Sequence, residues 1–93
     1  MNEEQNLNIA ETQQLNIADV RRSLSSDEIL LKEYDYLGKK RFEIGITNFL
    51  LMGRDCKMEI NVNGTKLKRI STGVIPREYA SDICSVQIYE VVS

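Results

Sequence analysis

The chain is predicted to be an α+β domain: a short N-terminal helix followed by a five-stranded antiparallel sheet or small barrel. Three features point there. Asn16-Ile17-Ala18-Asp19 reads as a helix start signal. Two alternating runs meet at Asn63-Gly64, the preferred pair for a two-residue type I′ hairpin turn. The C-terminal run ICSVQIYEVV carries apolar residues on both alternations, as a strand covered on both faces does.

Composition sets the frame. Ninety-three residues hold one domain, read as residues 15–93 behind a flexible arm at 1–14. A chain of this size buries only about 60–65% of its unfolded surface, so its core is thin. Apolar content of 42% and charged content of 28% are those of an ordinary globular protein. The polar start MNEEQNLN lacks the apolar stretch of an export signal, and no run approaches the ~18 apolar residues of a membrane helix. A cytoplasmic location without membrane association is the expectation. Cys56 and Cys84 have neither CxxC spacing nor histidine company, and are expected to be reduced, half-buried strand residues.

The helix start is written twice. Asn16 serves as N-cap with Asp19 reaching back to it, and Leu15 and Val20 form a hydrophobic staple, giving a helix over about Ile17 to Leu24. Asn8 to Glu11 repeats the pattern with Thr12 in the staple position, a weaker signal. Eight residues turn a helix about 80° beyond two full turns, so the copies do not share one face, and two copies fall short of a solenoid. Leu7, Ile9, Leu15 and Ile17 are candidates to dock on another molecule.

Residues 25–38 fit two structures. Ser25 and Glu28 make a second capping box leading to a helix ended by Gly38. Alternatively, LLKEYDYLGKKRFEIGI forms a hairpin, which its alternation and aromatic content favour. With Gly38-Lys39-Lys40 as the loop, Tyr36 pairs with Phe42, Tyr34 with Ile44 and Lys32 with Ile46. Glu33, Asp35, Arg41 and Glu43 then make the wet side.

Counting outward from Asn63-Gly64 pairs Val62 with Thr65, Ile60 with Leu67 and Met58 with Arg69. The other face pairs Asn61 with Lys66 and Glu59 with Lys68. Lys66 and Lys68 share a face from which Arg69 points away. FLLMGRD leads into a turn at Gly53, and Pro76 opens a helical turn in PREYASD.

Catalytic chemistry finds little support. Histidine is absent, which excludes Ser-His-Asp and Cys-His arrangements. The five glycines form no phosphate-binding loop. Asp27/Glu28 and Glu33/Asp35 are carboxylate pairs, read as a solvated helix start and the wet edge of a hairpin. No cofactor and no metal are expected. Charge is uneven: residues 1–35 hold eight acids and three bases, whereas residues 36–93 hold nine bases and six acids. Lys39, Lys40, Arg41, Lys66, Lys68 and Arg69 are therefore candidates for contacting nucleic acid.

KEYDYLG resembles the ALYDY segment of SH3 domains through Tyr34, Asp35 and Tyr36. TGVIPREYAS is similar to that family's G-x-I/F-P-x-N-Y segment through Gly73, Ile75, Pro76 and Tyr79. The resemblance implies an SH3-like barrel and a groove for proline-rich ligands at Tyr34, Tyr36, Pro76 and Tyr79. The chain departs from the family in having no tryptophan, a basic GKKR after YDY, Glu78 in place of Asn, and a further strand.

A non-enzymatic protein–protein interaction module is the expectation, of the kind mobile genetic elements encode as stoichiometric inhibitors or adaptors. A small single-stranded nucleic-acid-binding barrel and a self-assembling structural protein are the alternatives.

Overall fold

The computed structural model describes residues 15–51 and 56–92. It comprises helix α1 (Ile17–Ser23), strands β1 (Glu28–Tyr36), β2 (Lys39–Ile46), β3 (Glu59–Val62), β4 (Thr65–Thr72) and β5 (Ser85–Val92), and a 3₁₀ turn at Arg77–Tyr79. The strands form one antiparallel sheet in the order β1-β2-β5-β4-β3. The α+β class is as predicted. The arm, with Leu7 and Ile9, and the turn at Gly53 lie outside the described residues.

Helix α1 begins where the capping signal places it. The Asn16 side chain accepts a 2.8 Å hydrogen bond from the Ala18 amide. Asp19 does not complete the box; it pairs instead with Arg22 one turn on. Val20 is fully buried, and Leu15, partly buried, packs against the core cluster to which Val20 belongs. Ile17 is likewise partly buried and packs against the chain's own core.

Ser25 and Glu28 build a turn and not a helix. The Glu28 carboxylate accepts from the Ser25 amide at 2.8 Å, as a capping box requires, but the chain then extends into β1. Burial explains this carboxylate better than solvation: Glu28 is 9% exposed and also accepts from Lys57 Nζ at 3.3 Å.

The β1–β2 hairpin exists, in a register different from the expected one. The turn is Leu37-Gly38, with φ of 51° and 82°, the left-handed pair of a type I′ turn. Tyr36 therefore pairs with Lys39, Tyr34 with Arg41 and Glu33 with Phe42. Both tyrosines lie on the face opposite Phe42, Ile44 and Ile46. The expected wet side is split likewise: Glu33 and Asp35 share the Phe42 face, and Arg41 and Glu43 share the tyrosine face. A bulge at Leu31 absorbs one residue between Leu30 and Lys32, which conceals the alternation in the sequence.

The β3–β4 hairpin has the predicted register. Val62 pairs with Thr65 and Ile60 with Leu67 across Asn63-Gly64 (φ 51° and 87°), and the Arg69 amide bonds the Met58 carbonyl at 2.8 Å. Strand β5 lies between β2 and β4, at the sheet's centre, where Val86, Gln87 and Tyr89 are all buried.

The main core lies on one face, called here the inner face. Phe42, Ile44, Ile46, Ile60, Val62, Leu67 and Tyr89 pack there with Val20 and Cys56. Full burial of such side chains is worth about 1.5–3 kcal/mol each. Helix α1 contacts both β1 and β3, bridging the sheet's two edge strands across this core. Cys56 is buried and Cys84 exposed; neither lies in a strand, contrary to expectation, and no disulfide links them.

The outer face is divided. At the start of β5, the segment after the 3₁₀ turn folds over it, burying Ile83 and Val86. A Cβ on Gly45 would sit 3.1 Å from both Ile83 and Leu31, so glycine makes room for this cover. Pro76 stands at the N-cap of the 3₁₀ turn rather than inside it. The other end of the outer face, towards the Leu37-Gly38 turn, has no such cover among the described residues. Both sheet edges carry devices that oppose strand pairing: a bulge with Lys32, Glu33 and Asp35 exposed in β1 or partly so, and only four residues in β3.

Candidate functional site

The uncovered end of the outer face collects charged and aromatic side chains from all five strands. Strand pairing aligns Tyr34, Arg41, Glu90, Lys68 and Glu59 in one row across the sheet. Nearer the turn, Tyr36 pairs with Lys39, Val92 with Lys66, and Lys66 with Asn61. On the far side of the first row lie Lys32, Glu43, Ile88 and Ser71. Adjacent strands are about 4.8 Å apart, so a row spans roughly 19 Å.

Arg41 is the hub. Its Nε donates to Glu90 Oε2 at 2.8 Å, and its guanidinium stacks over the Tyr36 ring at 4.0 Å from the centroid. The Glu90 hydrogen bond raises the Arg41 pKa further above its already high value, so the charge is permanent. Lys39 Nζ lies 3.9 Å from the other Glu90 oxygen. Lys32 Nζ sits 5.3 Å over the Tyr34 ring. Lys66 pairs with Glu59 at 3.6 Å, both side chains about half exposed. Lys68, between Glu90 and Glu59 in register, makes no ion pair among the described residues.

The face is therefore mixed in sign with a cationic excess: Lys32, Lys39, Arg41, Lys66 and Lys68 against Glu43, Glu59 and Glu90. Apolar surface adjoins it. Tyr36 is 48% exposed, and Leu37, held in the left-handed region at the tip, is 88% exposed.

Of the residues picked from sequence, Tyr34, Tyr36, Lys39, Arg41, Lys66 and Lys68 come together here. Lys40 and Arg69 do not. Lys40 lies on the inner-face side, pairing with Glu33 and Asp35, and Arg69 reaches towards Gln87 and Met58 on that side. Pro76 and Tyr79 are also elsewhere. They belong to the segment that leads into the start of β5, whereas Tyr34 aligns through Arg41 with Glu90, five residues or about 17 Å along the strand from Ser85. Glu90 and Val92 were not singled out in the sequence; their even spacing in the last strand was the available signal, but only the insertion of β5 between β2 and β4 makes them central.

No protein-family model matches the chain, nor does any curated protein or any solved structure. Among the described residues no group of three or more His, Cys, Asp or Glu side chains is placed to hold a metal ion, and no helix is long and apolar enough to cross a membrane.

Proposed function

We propose that this chain is a non-enzymatic protein-binding module that occludes or scaffolds a partner stoichiometrically through the uncovered end of its outer sheet face. The observation that carries the proposal is the linked group Tyr36–Arg41–Glu90, which runs from the edge strand β1 to the central strand β5 of that surface. Tyrosine and arginine dominate binding energy at protein interfaces, where a central anchor is ringed by charges that set orientation and register. Here the anchor is prearranged by a cation–π contact and an ion pair, and Lys39, Lys66, Lys68 and Glu59 form the rim. Prearrangement lowers the ordering cost of association.

The corrected hairpin register places two tyrosines among the cations, an arrangement single-strand-binding proteins use for base stacking. Two features favour a protein instead. One face of each ring is taken by a cation of the same sheet, Arg41 over Tyr36 and Lys32 over Tyr34. Glu90 separates Arg41 from Lys68, and Glu43 and Glu59 flank them, which weakens attraction for a continuous polyanion but suits the mixed charge of a protein surface.

The test is affinity capture from cell lysate with wild-type chain and with a Tyr36→Ala/Arg41→Glu double variant as baits. One protein, held at one-to-one stoichiometry by the wild type and released by the variant, is expected. Capture of nucleic acid, or equal retention by both baits, would overturn the proposal.

A further inference from the structure

We infer that the partner presents to this face an extended acidic segment of the pattern acid-x-apolar-x-acid, seated between Lys39 and Lys68. This rests on the protein-binding reading above and specifies the chemistry of the ligand. A cavity of about 490 Å³ lies over the C-terminal part of β5, with Lys39 and Lys68 on its two sides. Ile70 and Val92, 40% and 45% exposed, contribute apolar surface to it, and Arg69, Glu90 and Val91 complete its lining.

Charge decides the sign of the ligand. Glu90 is the one acid of the cavity, and Arg41, from outside it, already holds its carboxylate at 2.8 Å. Lys39 is only loosely paired with Glu90, at 3.9 Å, and Lys68 makes no ion pair among the described residues. Arg69, the third cation of the lining, is turned to Gln87 and Met58, so the cavity offers Lys39 and Lys68 with little internal compensation beside apolar surface.

Spacing decides the form. Lys68 on β4 is level with Arg41, two residues from Lys39 on β2, so the two lysines are separated by two strand spacings and two residues along the strands, about 12 Å. In an extended peptide, residues two apart point to the same side about 6.8 Å apart, so residues four apart lie about 13.6 Å from each other. Carboxylates at the first and fifth positions thus meet the two ammonium groups, while the third side chain drops beside Val92 on β5. A nucleic-acid strand would bring a charge at every step and meet Glu43, Glu59 and Glu90 as well.

The experiment is a fluorescence anisotropy titration of the full chain with a labelled Glu-Ser-Leu-Ser-Glu peptide, the same peptide with Leu replaced by Ser, and labelled oligothymidylate. Saturable binding of the leucine peptide is expected, weakened about tenfold when the leucine is lost. Lys39→Ala and Lys68→Ala should each weaken it roughly two- to fivefold, as for exposed charge pairs. Lys40→Ala, which removes the same charge on the other side of the sheet, should leave it unchanged, with near-UV circular dichroism confirming the fold of every variant. Indifference to the leucine, equal loss with Lys40→Ala, or tighter binding of oligothymidylate would overturn the inference. A captured protein that depends on Tyr36 and Arg41 but not on Lys39 and Lys68 would also overturn it, and would leave the protein-binding function standing.

Discussion

Replacing Tyr89 by Phe removes one oxygen from the centre of the core, with two consequences of opposite sign. Tyr89 is fully buried, and its hydroxyl donates a 2.7 Å hydrogen bond to the Lys57 carbonyl, tying β5 to the segment that enters β3. Leaving that carbonyl unpaired costs about 1–2 kcal/mol at neutral pH. Burial, reinforced by the nearby Glu28 carboxylate, pushes the Tyr89 phenol up to about 12. An unfolded tyrosine ionises near pH 10, so between about pH 10 and 12 the unfolded chain releases a proton that the native chain keeps. Stability associated with this group is complete below about pH 10 and drains away towards pH 12, at about 1.4 kcal/mol per pH unit. Tyr89→Phe has no such group to titrate. The wild type should therefore be more stable than the variant by about 1–2 kcal/mol up to about pH 9.5, and this advantage should vanish near pH 11.5. Urea unfolding followed by circular dichroism across that range measures the difference directly. A constant offset from pH 9 to 11.5 would mean that the hydroxyl ionises alike in both states, and would refute the burial argument.

Two further outcomes follow from local geometry. Leu37 occupies a left-handed conformation at the hairpin tip, so Leu37→Asn should raise stability by about 0.5–1 kcal/mol in thermal unfolding; because Leu37 adjoins the proposed interface, the same change should weaken partner capture. Asn16→Ala removes the helix cap and should lower stability by about 1 kcal/mol in urea titration, leaving binding at the opposite, outer face unaltered.

Whatever depended on neighbours in the chain could be read before folding. The Asn63-Gly64 hairpin and its register follow from two residues that tolerate positive φ at small cost, and the helix start follows from an amide captured two positions away. The β1–β2 register could not be read this way. Its turn uses Leu37 in a conformation that side chains of that kind disfavour, and the bulge at Leu31 breaks the period-two pattern that normally reveals which residues share a face. Ser25 and Glu28 carry the same lesson. Their capping contact forms, but the adjoining residues gain more by entering a sheet than by continuing a helix.

The candidate site was legible only as a list of cations and tyrosines. Their convergence required β5, the last strand of the chain, to insert between β2 and β4, which aligns Arg41, Glu90 and Lys68 although they are distant in sequence. Local signals settle dihedral angles one turn at a time. Strand order is settled by burying Phe42, Ile44, Leu67 and Tyr89 together under α1, a cooperative gain that no single segment of this chain contains.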